Sequence, residues 1–294
     1  MDTFSHCTLC PRQCGVNRHE KQGFCRMGDT IKVARAALHM WEEPCISGTR
    51  GSGTVFFSGC TLKCAFCQNA PISHDGFGYP VTQEGLVRMF LSLEEQGAHN
   101  INIVTGTPFA PLIVRALEKS RLSIPVVWNT GGYETVETLK MLEGHVQIYL
   151  PDLKHVSPRL SKLCVQAEDY FDVASAALIE MHRQVGTNVY DEDGMLMQGM
   201  IVRHLILPGC TRDAMQVLDF LKENLPDVPV SIMRQYTPQE RCTVKGLDRR
   251  ITDEEYRRVM QYADERGILG FSQEAESADS GYTPPFDGTG VIAE

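Results

Sequence analysis

The chain has 294 residues, 43% of them hydrophobic and 22% charged, and a formal net charge of −9. That size supports one large core, or a core with a small attached unit, and excludes an intrinsically disordered chain. With no basic stripe, the charge argues against electrostatic recognition of nucleic acid or an anionic membrane, and no apolar run nears the roughly 18 residues that span a bilayer.

From the start, Met1 to Cys14 carries cysteines where a secretory leader would carry an apolar run, so a cytoplasmic protein is expected. Thiols stay reduced in that compartment, and clustered ones more often bind metal than pair. Seven of the eleven cysteines lie in two groups. The first, Cys7, Cys10, Cys14 and Cys25, has x2, x3 and x10 spacing among Pro11, Gly15 and Gly23. Such a loop has too little apolar content for a core, so a metal would supply its folding energy. An auxiliary [4Fe–4S] cluster and a bracing zinc ion both satisfy the spacing. Residues 1–50 read as a loop-rich, cysteine-bearing appendage.

Residues 51–271 alternate apolar β-type runs with amphipathic helical stretches. The predicted strands are Thr54–Ser58, Ile101–Val104, Pro125–Asn129, Val146–Leu150, Met200–Leu207 and Val228–Met233. They are short and rich in Val and Ile, as strands buried on both faces of a parallel sheet should be. Thr82 is placed to cap a helix that ends at Gly97, and Thr252-x-x-Glu255 is a capping-box pattern before a helix that stops at Gly267. The stretch Ser157–Gly186 is long enough for two helices. Six strand–helix units predict an α/β fold with a parallel sheet, and chemistry at the strands' C-terminal ends favours a barrel-like form. Residues 272–294 show no periodicity and read as a tail or a strap packed by Tyr282 and Phe286.

The second cysteine group follows the first of these strands. The strand runs into Gly59, and Cys60, Cys64 and Cys67 follow at x3 and x2 spacing. Three local thiolates can hold three irons of a cubane and leave the fourth iron for the amino and carboxylate groups of a small molecule. A zinc site completed elsewhere is the alternative, although zinc favours C-x2-C knuckles and four ligands. Cys45, Cys164, Cys210 and Cys242 read as small buried hydrophobes. His39, His99, His155 and His182 show no ligand spacing.

The C-x3-C-x-aromatic-C pattern directly after the first strand resembles the radical S-adenosylmethionine (SAM) superfamily. Other segments are similar to its pyruvate formate-lyase-activating-enzyme-related branch, in particular to poorly characterised members with an extra N-terminal cysteine motif. They are Glu43-Pro44-Cys45-Ile46-Ser47-Gly48, Phe56-Phe57-Ser58-Gly59-Cys60, Tyr149-Leu150-Pro151-Asp152-Leu153-Lys154, the stretch from Ile201 to Gly209, and Met233-Arg234-Gln235-Tyr236-Thr237-Pro238.

The resemblance implies a partial (β/α)6 barrel of the TIM-like radical SAM type. It implies a [4Fe–4S] cluster at Cys60, Cys64 and Cys67 that cleaves SAM reductively to a 5′-deoxyadenosyl radical. Phe66 would then pack near the cluster and the adenine. Val104-Thr105-Gly106-Thr107-Pro108 stands where activating enzymes carry a Gly-Gly-Glu-Pro type motif that contacts the SAM amino group. Here the acid is absent and Thr107 stands near its place. Asn129 is placed for the ribose, Asp152 and Lys154 for a position beside SAM, and Arg203 for the SAM carboxylate, since a guanidinium fork suits one. His204, on the opposite face of its strand, reads as a structural histidine. The expected activity is hydrogen-atom abstraction of the glycyl-radical-enzyme-activating kind. It would need SAM as cosubstrate, an electron donor such as flavodoxin or ferredoxin, and a protein substrate. Radical modification of another peptide or small molecule is the second enzymatic reading, and a non-catalytic iron–sulfur redox carrier the third.

Overall fold

The computed structural model describes residues 2–272 and 284–293. The first strand, β1 (Ile31–His39), runs antiparallel to β2 (Ser52–Phe57) and, at its start, to the short β3 (Tyr79–Val81). Next, β4 (Ile101–Val104), β5 (Val126–Thr130) and β6 (Ile148–Pro151) extend the sheet from β2, all parallel. β7 (Val189–Tyr190) turns back on β8 (Leu196–Met200), which lies parallel to β6. β9 (Val202–Leu205), β10 (Val230–Met233) and β11 (Gly270–Ser272) form a second parallel sheet.

A parallel bridge between Asp152 and Arg203 joins the two sheets, with the Leu153 amide donating to the Arg203 carbonyl at 2.9 Å. The wall therefore passes through β2, β4, β5, β6, β9 and β10 in turn, the partial barrel that the family resemblance implies. Strands β2, β4, β5, β6 and β10 are buried at every residue. Strands packed on both faces read as largely apolar runs rather than as a clean alternation.

The helices are α1 (Pro44–Ser47), α2 (Ala70–Ser73), α3 (Gln83–Glu95), α4 (Ala110–Ser120), α5 (Val136–Leu142), α6 (Pro158–Val165), α7 (Tyr170–Val185), α8 (Thr211–Asn224) and α9 (Asp253–Arg266). The Thr82 hydroxyl accepts from the Gly85 amide and caps α3. Thr252 and Glu255 close the capping box of α9, and Gly267 ends that helix with φ +62°. Each cap satisfies amides that the first turn leaves without a partner. The stretch 157–186 divides into α6 and α7. No helix among the described residues is long and apolar enough to cross a membrane.

Two departures from the sequence reading have physical causes. Ile31–His39, inside the stretch read as loop-rich, is the longest strand. Its Lys32, Arg35 and His39, each half-buried, interrupt the apolar pattern. The run 200–207 is not one strand either, because the chain changes partners at Ile201. The Ile201 amide donates to Tyr149 at 3.1 Å, and the next amide, Val202, donates to Pro229 at 3.0 Å.

Two further segments cover the strand ends. In the N-terminal segment, Phe4, Cys7 and Leu9 form a small cluster against Leu112 and Met141. At the C-terminus, residues 284–293 lie along β1. The Ala36 amide donates to Thr289 at 2.9 Å, the Gly288 amide donates to Ala34 at 3.0 Å, and Asp287 pairs with Arg35 at 3.0 Å. Phe286 meets Phe56 edge-on at 5.5 Å. Tyr282 lies outside the described residues.

Candidate functional site

The C-terminal ends of the parallel strands surround a solvent-open cavity of about 250 Å³. Cys64, Cys67 and Phe66 line it on one side and Asn129, Asp152, Lys154 and Arg203 on the other. Each comes from a loop or strand end on the same rim, because parallel strands all point their carboxyl ends the same way.

The loop after β2 supplies the cysteines. All three thiols are free. The Leu62 amide points at Cys60 Sγ at 3.4 Å, and Cys67 Sγ lies 3.2 Å from Ser73 Oγ. Burial pushes the Cys60 thiol up to about 11 and raises Cys64 and Cys67 as well. Thiols held this firmly in the neutral form need a metal or a cation to ionise. Lys154 lies in the field of Cys64, and Lys63 in that of Cys60. Phe66 packs edge-on against Tyr236 at 6.1 Å and against His155 at 6.4 Å.

Opposite the cysteines stands a dense polar net. Asp152 accepts from Lys154 Nζ at 2.5 Å with one carboxylate oxygen and from Arg203 Nε at 3.0 Å with the other. The Arg203 fork continues to Asn129 Oδ1 at 2.5 Å and to Glu42 Oε2 at 3.2 Å. Glu42 also accepts from the side-chain amides of Asn102, at 3.0 Å, and Asn129, at 3.2 Å. Burial would raise the Asp152 carboxyl, but Lys154 and Arg203 hold it below the usual range. Lys154 is raised in turn, chiefly by Asp152 against the opposing cost of burial. For Glu42 burial wins, and its carboxyl is raised.

Placement separates the expected SAM residues into two sets. Phe66, Asn129, Asp152, Lys154 and Arg203 share the cavity wall, and Thr105, Gly106 and Thr107 do not. Thr105 takes φ +58°, and its amide donates to Asn129 at 2.9 Å. Gly106 is a packing position: a Cβ there would stand 2.6 Å from Ile103 and 2.7 Å from Trp128. The Thr107 hydroxyl turns inward to buried Glu134 at 2.6 Å, which also accepts from Thr130 at 2.5 Å. His204 is structural, bonded to the Leu153 carbonyl at 2.8 Å and lowered to about 4 by burial. A residue missed in the sequence is Glu42, which lines the cavity and stands immediately before the Glu43–Gly48 segment.

A second, far smaller cavity of about 10 Å³ is lined by Cys7, Cys10, Cys14 and Cys25 together with Arg18, Thr61 and Thr107. Burial pushes the Cys10 thiol up to about 12. Arg18 is itself buried, donates to the Pro108 carbonyl at 2.5 Å, and stands 3.9 Å from Cys7 Sγ. Arg12 donates to the Thr61 carbonyl at 2.9 Å, next to Cys60. Among the described residues no group of three or more Cys, His, Asp or Glu side chains is drawn round a single point as one metal ion would require. The fit of both thiol sets to a metal cluster rests on donor type, free thiols and placement.

The sequence model described as "Radical SAM superfamily" matches residues 54–221, more than half of the chain. The chain belongs to the radical SAM superfamily. It is therefore an enzyme of SAM radical chemistry, in a family whose members use a [4Fe–4S] cluster and SAM. It is similar to "Uncharacterized protein MJ0674" of Methanocaldococcus jannaschii, 30% identical over 278 residues, which covers 90% of this chain and 76% of that one. Among solved structures it is similar to Streptococcus suis SuiB bound to S-adenosylmethionine, with a TM-score of 0.47 and 14% identity. That match covers 73% of this chain, which spans 45% of the SuiB chain.

Proposed function

We propose that Cys60, Cys64 and Cys67 hold a site-differentiated [4Fe–4S] cluster beside a SAM molecule in the large cavity, and that the enzyme abstracts a hydrogen atom from a glycine of a partner protein. A cluster held by these three thiolates would supply the one electron that divides SAM into methionine and a 5′-deoxyadenosyl radical. This chain's residues bind and orient. Lys154 offers its remaining N–H donors to the SAM carboxylate, Asn129 faces the ribose, and Phe66 packs against the adenine. The single observation that carries this reading is that Cys64 and Cys67 open onto the same cavity as the Asp152–Lys154–Arg203 net.

Residues 1–50 act in this reading as a metal-holding appendage, residues 51–271 as the catalytic barrel and residues 272–294 as a strap. Cys7, Cys10, Cys14 and Cys25 hold a second [4Fe–4S] cluster that relays electrons from a flavodoxin- or ferredoxin-type donor. Its support is adjacency, since Thr61 lines the N-terminal cavity and neighbours Cys60. The test is anaerobic reconstitution, reduction with dithionite and addition of SAM. The expected products are 5′-deoxyadenosine and methionine, with a glycyl radical in a partner by electron paramagnetic resonance. Zinc at Cys60, Cys64 and Cys67, or no SAM cleavage, overturns the proposal. Cleavage without any glycyl radical overturns the glycine substrate alone.

A further inference from the structure

Three cations gather where the two thiol sets meet. Arg12 donates to the carbonyls of Thr61 and Gln166, Arg18 to those of Gly28 and Pro108, and Lys63 to that of Ser73, so these partners carry no charge. Glu134, the acid in the field of Cys10, is raised by burial and already holds the hydroxyls of Thr107 and Thr130. With the thiols neutral, half-buried and buried cations face no negative charge, which is unfavourable where water is scarce. Thiols bound to a metal are ionised and supply that charge.

Two of the cations reach from one thiol set to the other. Arg12, two residues after Cys10, donates to the Thr61 carbonyl beside Cys60 at 2.9 Å, and its guanidinium carbon lies 4.1 Å from the centre of the Phe24 ring. Arg12 Nη2 is buried with no hydrogen-bond partner among the described residues. Lys63 stands between Cys60 and Cys64 in the chain, and its ammonium lies 5.8 Å from the centre of that same ring. Phe24 immediately precedes Cys25 and lines the N-terminal cavity. A ring face attracts a cation at these distances, so Phe24 holds both charges at the junction. Lys63 Nζ donates to the Ser73 carbonyl at 3.0 Å, and Ser73 Oγ lies 3.2 Å from Cys67 Sγ. Burial, joined by Arg26, lowers the Lys63 ammonium, while Cys60 and Cys25, one from each set, raise it.

We propose that Lys63, with Arg12 beside it on the Phe24 ring, is the counter-cation shared by the two metal centres and raises the reduction potential of both. This rests on the two-cluster reading above and assigns these residues a role within it. Reduction adds negative charge to a centre, so a fixed cation nearby favours the reduced form. Lys63 acts through its charge alone and ligates nothing.

The test uses the full chain, reconstituted anaerobically, with both clusters followed by electron paramagnetic resonance through a redox titration. The variant with Cys7, Cys10, Cys14 and Cys25 changed to Ser identifies the catalytic signal. Lys63→Met keeps the stem and removes the charge, and the reduction equilibrium of each cluster should fall about tenfold or more, roughly 60 mV for each tenfold step of one electron. Lys63→Arg keeps the charge and should hold both within about threefold of the wild type. Lys119→Met removes an exposed cation near the end of α4 and should also leave both within about threefold, because water and salt screen it. If Lys63→Met does not retain both clusters, Arg12→Gln carries the test, with a fall expected at both. Unchanged potentials in Lys63→Met with iron retained, or an equal fall in Lys63→Arg, overturn the inference alone, and a fall confined to one signal overturns the shared role. Zinc at the N-terminal set, or no iron at Cys60, Cys64 and Cys67, overturns the two-cluster reading and this inference with it.

Discussion

Replacing Asp152 by Asn keeps the shape of the side chain and removes its charge. In the wild type the Asp152 oxygens lie 2.5 Å from Lys154 Nζ and 3.0 Å from Arg203 Nε, with the three side chains only 19%, 16% and 15% exposed. Removing one member of a buried pair leaves uncompensated charge and costs about 3–5 kcal/mol. The neutral variant leaves two cations facing one amide that can accept through one atom only. At about 2–4 °C per kcal/mol for a domain of this order, the melting temperature should fall by roughly 6–20 °C. The check is thermal unfolding of the anaerobic protein near neutral pH, in the single variant and in Asp152→Asn combined with Lys154→Met. The double variant should recover part of the loss, because the orphaned ammonium is gone. The pH dependence has a definite sign. The folded carboxyl titrates below its ordinary value, so its contribution is complete above that value and disappears as pH falls through the folded one. The gap between wild type and variant should therefore close in acid. A loss under about 1 kcal/mol, or strictly additive single and double variants, would refute the view that this net is a coupled unit.

Other outcomes follow from the same geometry. Changing Cys7, Cys10, Cys14 and Cys25 together to Ser should reduce bound iron from about eight to about four per chain, whereas one zinc lost with iron unchanged would establish the bracing alternative. At Gly290 (φ +70°) a Cβ would stand 1.9 Å from the Ala36 carbonyl, so Gly290→Ala should detach the strap and speed hydrogen exchange at the Gly288 amide. Unchanged exchange there would show that the strap is not held in this register. His204 is buried and lowered to about 4 against an ordinary value of about 6.5, so stability is complete above the higher value and falls across that window as the unfolded chain takes up the proton. The loss reaches on the order of 3 kcal/mol, and denaturant midpoints at pH 5 and pH 7.5 should converge in His204→Asn.

The parts that could be read from the sequence are those in which neighbouring residues decide the outcome. Ile101–Val104 is short, rich in Ile and Val and buried at every residue, and the matching strand has the same limits. Cys60, Cys64 and Cys67 sit on one short loop, so their spacing alone places them together. Asp152 and Lys154 are two residues apart in extended chain, which puts them on one face. Pairings decided over long distances were not legible. Arg203 meets Glu42 across 161 residues, so a fork expected to wait for a ligand carboxylate is already engaged. Thr107 turns to Glu134, 27 residues on, and no local pattern around Thr107 announces that acid. β1 escaped notice because Lys32, Arg35 and His39, each half-buried, interrupt its apolar residues.

The same long-range packing ties the two thiol sets to each other. Gly59 has φ +81°, and a Cβ there would stand 2.4 Å from Met27 Cγ and 2.8 Å from the Cys25 carbonyl. The N-terminal segment is thus pressed against the residue just before Cys60, at a position where only glycine leaves room. Arg12 fastens that segment to Thr61, Arg18 fastens it to Pro108, and Thr138 bonds the Leu9 carbonyl at 2.6 Å. These anchors lie after β2, after β4 and at the start of α5, all at the end of the wall where the large cavity opens. On the proposed reading, a group held by Cys7, Cys10, Cys14 and Cys25 would also help to fix the backbone on both sides of Cys60. Loss of metal from the N-terminal set should accordingly loosen the catalytic loop even where its own three cysteines are intact.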